Sequence, residues 1–251
     1  MSSLFLRDDL AVVPVETGDT VELTGDEARH AVTVNRMRVG EHTTIGDGRG
    51  LLVHGIVTHT EARRLEIVVE SVERHDEPSP RLVLVQALAK GDRDELAIQA
   101  ATELGVAGVV PWQAERSVSR WSGPKIAKGV ERWSTIVREA AKQSIRPWVP
   151  VVEEPVDTKA LVALAAQHRV LVLEPTAETR LSALDLGDVD PRGGVRATLL
   201  VVGPEGGISP RELEALTAAG AELVRLGDEV LRTSTAGPAA LAVANVALGR
   251  W

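Results

Sequence analysis

The stretch that most constrains the fold lies toward the carboxyl end: an uncharged, β-branched run at 197–202 that stops in Gly203-Pro204-Glu205-Gly206-Gly207. A short apolar run closed by glycine reads as a buried strand that delivers a loop to the edge of a sheet. Gly206 and Gly207 allow positive φ and let a ligand approach the main chain. Ser209 follows as a helix N-cap, with Pro210 at the first helical position and Glu212 placed for a capping box. Strand, bare loop and helix N-terminus together make a ligand site out of backbone. A glycine pair between strand and helix also serves simply as a tight connection, so this unit alone leaves ligand binding open. Neither G-x-x-x-x-G-K-[ST] nor a G-x-G-x-x-G after the first strand is present.

A second unit of the same kind shifts the balance. The run 222–226 leads into Leu226-Gly227-Asp228-Glu229-Val230-Leu231-Arg232-Thr233-Ser234-Thr235-Ala236-Gly237, and a helix is expected over 238–248 with Pro238 opening it. Two successive strand–loop–helix units with small residues in their loops point to one pocket made by neighbouring loops.

Upstream, the pattern changes at Asp76-Glu77-Pro78-Ser79-Pro80, a polar, proline-bearing linker. Before it, short alternating runs at 20–23, 42–45, 51–57 and 65–69 are separated by glycines, which predicts a small β-barrel. After it, strands at 81–87, 108–112 and 170–174 alternate with helices at 92–104, 125–144 and 159–168, with Asp92 as N-cap and Glu95 at its capping-box position. The fold class is therefore α/β with a mostly parallel sheet, its ligand loops at the carboxyl ends of the strands.

Composition excludes several classes. There is no cysteine, hence no disulfide, thiol nucleophile or thiolate metal site. The six histidines are scattered without a H-x-x-x-H pair, so no metal is expected. No run is long and apolar enough to cross a bilayer, and Arg7, Asp8 and Asp9 spoil the opening residues as a secretory signal, so no membrane partner is expected and cytoplasmic placement is the default.

The net charge of −8 runs against nucleic-acid binding, but its distribution does not. Between 116 and 146 the basic residues Arg116, Arg120, Lys125, Lys128, Arg132, Arg138, Lys142 and Arg146 face only Glu131 and Glu139. A second patch, Arg29-His30 to Arg36-Met37-Arg38, holds no acid. Solvated helix faces would also carry such charges. Two basic patches on an acidic chain fit better with a track for an RNA backbone. Trp112, Trp121, Trp133 and Trp148 fall in or beside the region; with no tyrosine and one phenylalanine in the chain, they read as core rather than as stacking platforms.

These blocks together resemble the SPOUT methyltransferases, and within them the ribosomal RNA small subunit methyltransferase E family. Lys90-Gly91-Asp92-Arg93 with 100–106, Glu115-Arg116-Ser117-Val118, and 139–144 with Arg146 and Pro150 are similar to blocks of that family's catalytic domain. His30-Ala31 and 35–41 resemble its PUA-like RNA-binding barrel. The chain departs from the family pattern at Ser234, where an acid is usual, at Ile145, where glycine is usual, and at Ala100, often lysine.

The resemblance implies a PUA-like β-barrel over 1–75 and a SPOUT domain with a deep trefoil knot over 80–251. It implies bent S-adenosyl-L-methionine held by Leu173, Glu174 and Pro175, by Gly203, Pro204, Glu205, Gly206 and Gly207, and by Leu226, Gly227, Val230, Leu231, Thr235 and Ala236. The implied reaction is methylation of N3 of a specific uridine in 16S ribosomal RNA, on free RNA or the small subunit, by a homodimer. The stripe Leu241, Val243, Ala244, Val246, Ala247 and Leu248 serves either that interface or a monomer core. Arg232 is expected to orient or stabilise the uracil; Glu205 is either a proton acceptor or, as the better fit, a cap of its own loop. Expected RNA contacts are His30, Arg36, Arg38, Lys90, Arg93, Arg116, Arg132, Arg138, Lys142 and Arg146. Two other classes stay open: a SPOUT ribose 2′-O-methyltransferase acting on rRNA or tRNA, and a non-catalytic RNA-binding assembly factor.

Overall fold

The computed structural model describes residues 3–12, 14–187 and 197–251; the remaining parts of the two expected domains, at 1–2, 13 and 188–196, lie outside the described residues. The chain forms two compact units, Met1–Glu77 with Ala141–Val149, and Pro78–Ala140 with Pro150–Trp251.

In the first unit β1 (Leu4–Leu6), β2 (Thr20–Thr24), β3 (His42–Gly46), β4 (Leu51–Glu61) and β5 (Arg64–Arg74) form one sheet in the order β1-β3-β4-β5-β2. The β1–β3 pair is parallel and the others are antiparallel. Along β5, Leu65, Ile67 and Val69 are buried while Arg64, Val68 and Glu70 are exposed, the period-two pattern of a sheet with one wet face. The edge strands are linked across the fold by Arg7, whose Nη1 donates to Glu22 O at 2.9 Å. The glycine-punctuated reading missed α1 (Gly25–Arg29), which runs on as a π-turn over His30–Val34. Gly25 looks like a strand breaker, but with φ +68 it opens the helix.

The second unit is a sheet with every pair parallel, β6 (Leu82–Ala87), β7 (Gly108–Gln113), β8 (Val151–Val152), β9 (Val156–Asp157), β10 (Arg169–Leu173), β11 (Thr198–Val202) and β12 (Glu222–Val224). Its order is β12-β10-β11-β6-β7-β8, with β9 also on β7. Every residue of β11 is buried, which is why its sequence is a continuous apolar run instead of an alternation. The helices are α2 (Arg93–Glu103), α3 (Pro124–Gln143), α4 (Thr158–Ala165), α5 (Pro210–Ala218) and α6 (Thr233–Ala247). Val85, Trp112, Leu161, Val172, Val201 and Leu216 meet in one core cluster.

Two local expectations are corrected. Asp92 does not cap α2: it sits at φ 58 and makes no side-chain cap bond. An N-cap needs extended backbone to bring its oxygen over the first turn; Asp94 instead accepts from Ala89 N–H at 3.2 Å, and Glu95 pairs with Arg132. The last helix begins at Thr233, so Pro238 lies inside it and leaves the Ser234 carbonyl without its usual donor. Segment 141–149 packs with the first compact unit. By contrast α5 carries the full capping box, Ser209 Oγ accepting from Glu212 N–H at 3.3 Å and Glu212 Oε2 from Ser209 N–H at 3.1 Å.

Candidate active site

Three parallel strands end side by side, and their loops surround a cavity of about 460 Å³. The size suits a small organic ligand or cofactor. Leu173-Glu174-Pro175 follow β10, Gly203-Pro204-Glu205 with Gly207 and Ile208 follow β11, and Leu226, Gly227, Glu229, Val230, Leu231 and Arg232 follow β12. Thr233 and Ala236 of α6 and Arg93 of α2 complete it. A crevice at the carboxyl ends of a parallel sheet is where α/β folds place their ligands.

Backbone demands explain the loop chemistry. Gly207 takes φ +71, a conformation that side chains resist. A Cβ on Gly203 would stand 2.6 Å from Ile208 Cγ1, so the turn closes only around glycine. Gly206 differs from expectation: it is not left-handed and does not line the cavity. Its carbonyl accepts from Arg116 Nη1 at 3.1 Å, and a Cβ there would approach Arg116 Cβ to 3.3 Å. Thr235 likewise stands outside the lining, where Thr233 takes the position.

Thr233 joins the walls. Its hydroxyl donates to Gly203 O at 2.9 Å and accepts from Gln86 Nε2 at 2.9 Å. Gln86 is fully buried in β6 and Thr233 nearly so. The bonds therefore fix the start of α6 against the ends of β6 and β11. The sequence held a signal for this: Gln86 is a lone polar residue in the apolar strand Leu82–Ala87, and buried polar groups are kept for their partners. α6 also passes close to β6 at Gly237, where a Cβ would lie 2.8 Å from Leu84 Cδ1.

The charged groups fall into held and unheld sets. Glu205 Oε1 accepts from Lys90 N–H at 3.1 Å and from Arg93 Nη1 at 2.9 Å. Burial would raise its carboxyl, but these donors and its own backbone N–H outweigh that and hold it below the usual carboxylate range. A carboxylate so stabilised is a poor proton acceptor, and its geometry is that of a loop clasp. Arg225 pairs with Asp228 at 2.7 Å. Arg232, exposed on the cavity wall, makes no ion pair or side-chain hydrogen bond among the described residues. Among the described residues no three His, Cys, Asp or Glu side chains group as metal ligands.

The basic residues divide in the same way. Arg36 and Arg38 are exposed in the first unit, Lys90 and Arg116 in the second. Arg132 is exposed but held by Glu95 at 2.8 Å, and Arg138 is half-buried. His30 is half-buried and meets the Phe5 ring edge-on at 6.3 Å. Lys142 and Arg146 are corrected as phosphate contacts. The Lys142 side chain is 4 % exposed and its Nζ sits 2.9 Å from Glu27 Oε1. Arg146 is buried, which pulls its guanidinium down to about 10. Trp112 and Trp133 are core residues, and Trp121 packs edge-on to Trp133 with ring centres 5.3 Å apart.

A main-chain-walled crevice at the carboxyl ends of a parallel sheet, in a chain that also carries a small β-rich unit, defines an α/β ligand-site protein with an accessory domain. Family models identify both parts: the RNA methyltransferase domain matches residues 76–245 and the RNA methyltransferase PUA domain residues 23–70. A ribosomal RNA small subunit methyltransferase E of Mycobacterium bovis is 42% identical over 100% of this chain and 94% of its own length. That of Bacillus subtilis is 31% identical over 91% of this chain and 90% of its own. The crystal structure of the Neisseria gonorrhoeae ribosomal RNA small subunit methyltransferase E, bound to S-adenosyl methionine, superposes with a TM-score of 0.81 at 31% identity, covering 99% of this chain and 98% of that one. This chain belongs to the ribosomal RNA small subunit methyltransferase E family.

Proposed function

We propose that this protein is an S-adenosylmethionine-dependent rRNA methyltransferase that modifies N3 of a uridine in 16S ribosomal RNA. The observation that carries the reading is the cavity walled by three strand-end loops, with Arg232 at its side unpaired among the described residues. Adenosine recognition by backbone N–H and C=O groups suits the glycine-lined walls, and the loops at 173–175, 203–207 and 226–236 are assigned to the cofactor. When bound, S-adenosylmethionine supplies an electrophilic methyl group on a sulfonium.

The protein's own residues have three tasks. Arg232 orients the uracil and stabilises charge that develops as N3 loses its proton. The Gln86–Thr233–Gly203 chain of hydrogen bonds keeps the cofactor loops in place. Lys90 and Arg116, beside the 203–207 loop, with Arg36 and Arg38 of the PUA unit, are assigned to RNA phosphates, while Arg93 is taken up by Glu205. N3 lies in the pairing face, so the target uridine is single-stranded or flipped.

The trefoil knot belongs to the same reading, supported by the convergence of three loops and α6 on one cavity. So does a homodimer in the cytoplasm. Val246 on α6 and Leu96 on α2 are exposed apolar residues available to a second copy, whereas Leu241 and Ala244 are buried in the monomer core. Calorimetry with S-adenosylmethionine tests the cofactor assignment; a purely structural assembly factor gives no heat. Mass spectrometry of 16S RNA from a deletion strain tests the target: loss of one N3-methyluridine is expected, and an unchanged RNA overturns the reading.

A further inference from the structure

Removing the N3 proton requires an acceptor, and the cavity narrows the choice. Its described lining holds no histidine, cysteine, tyrosine or lysine, so the available bases are Glu174, Glu205 and Glu229. Glu174 Oε1 already accepts from the N–H and hydroxyl of Thr176, at 3.2 and 2.9 Å. Glu205 is clasped by Lys90 N–H and Arg93. Glu229 makes no hydrogen bond or ion pair among the described residues, so its carboxylate oxygens are open to a substrate N–H. A second observation concerns its neighbour. A Cβ on Gly227 would stand 3.2 Å from Glu229 Oε2, and Gly227 is not left-handed. The Glu229 carboxylate therefore lies against the Gly227 backbone.

We infer that Glu229 is the general base of the reaction, a role that rests on the methyl-transfer reading above. It shares the loop after β12 with Arg232, and both line the cavity. As N3 forms its bond to the methyl carbon, the sulfur–carbon bond breaks with its electron pair left on sulfur, and the N3 proton passes to the Glu229 carboxylate. Glu229 is exposed, so that proton then leaves to water. The guanidinium of Arg232 balances the charge on the ring while the carboxylate takes the proton, a division of labour that neither Glu174 nor Glu205 is free to join.

The test compares wild type with Glu229→Gln and Glu229→Asp. Loss of a positioned general base lowers kcat by about 100-fold or more, and this is expected for Glu229→Gln with S-adenosylmethionine affinity by calorimetry unchanged. The wild-type rate should fall toward acid, and Glu229→Gln should lack that acid-side limb and climb only in the alkaline range. Glu229→Asp should restore part of kcat and the limb with it. An unchanged kcat and pH profile in Glu229→Gln, or a loss confined to cofactor affinity, overturns the assignment. The methyl position in the wild-type product, read separately by mass spectrometry, decides the functional reading; the pH profiles decide Glu229 whichever atom accepts the methyl.

Discussion

At the scale of single residues, partners decide role. Arg93 and Arg232 both line the cavity, but Arg93 is spent on Glu205 while Arg232 has no side-chain partner among the described residues. Arg232→Ala should therefore reduce kcat by about 100-fold, the size seen when a charge-stabilising donor is removed. Cofactor affinity should change little, because the loop backbone that would hold adenosine is untouched; steady-state kinetics beside calorimetry check this, and a change in affinity alone would remove the uracil role. Glu212 shows the same logic in stability. Burial raises its carboxyl, but donors from the Thr158 hydroxyl, Glu115 N–H and Ser209 win and its pKa falls below the usual range. A lowered folded pKa stabilises the protein above the unfolded carboxylate value of about 4.3. That contribution is lost as pH falls through the lower folded value. Glu212→Gln should cost about 1–3 kcal/mol at neutral pH and much less in strong acid, as urea unfolding across pH would record.

At the scale of elements, the site depends on how α6 starts. Thr233→Val keeps the shape but removes the hydroxyl that joins Gln86 Nε2 and Gly203 O. The buried Gln86 amide and the part-buried Gly203 carbonyl then lose a partner, at about 1–3 kcal/mol. Because Gly203 is part of the cavity wall, S-adenosylmethionine should also bind about tenfold more weakly, equivalent to about 1.4 kcal/mol; normal affinity would show that the clamp is not part of the pocket. The strands on which these elements rest were legible in the sequence, since β6, β10 and β11 are short, largely apolar runs and β11 ends directly in Gly203. Ser209 with Glu212 announced α5 equally well. What was hidden depended on backbone geometry or distant partners. Pro238 looks like a helix opener because local rules favour proline there, yet tertiary packing carries α6 past it. Asp92 looks like a cap until its φ of 58 removes the option. Thr233 carries no local mark of its role, because its partners are 147 and 30 residues away.

At the scale of the whole molecule, an acidic protein of net charge −8 must bind a polyanion through a few placed cations. The sequence put Lys142 and Arg36 on one phosphate track, since clusters of basic residues look alike before burial is known. The structure separates them by environment. Lys142 is enclosed in the first unit with Glu27, whose Oε2 also accepts from Leu6 N–H at 3.2 Å, so the pair fastens segment 141–149 to that unit. Arg36 is exposed, at φ 56 in the loop before β3. Lys142→Met should leave Glu27 half-buried without its cation and destabilise the protein by about 3 kcal/mol. The salt dependence of RNA binding should then match wild type, because no phosphate contact is lost. Arg36→Ala should do the reverse. Stability should stay within about 0.5 kcal/mol, while RNA affinity falls and the slope of log K against log salt decreases by about one unit as one fewer counterion is released. Filter binding at several salt concentrations, beside urea unfolding of the same samples, separates the two effects. Equal slopes for wild type and Arg36→Ala would leave the PUA unit's exposed arginine without a phosphate, and a flattened slope for Lys142→Met would show that its buried pairing opens when RNA arrives.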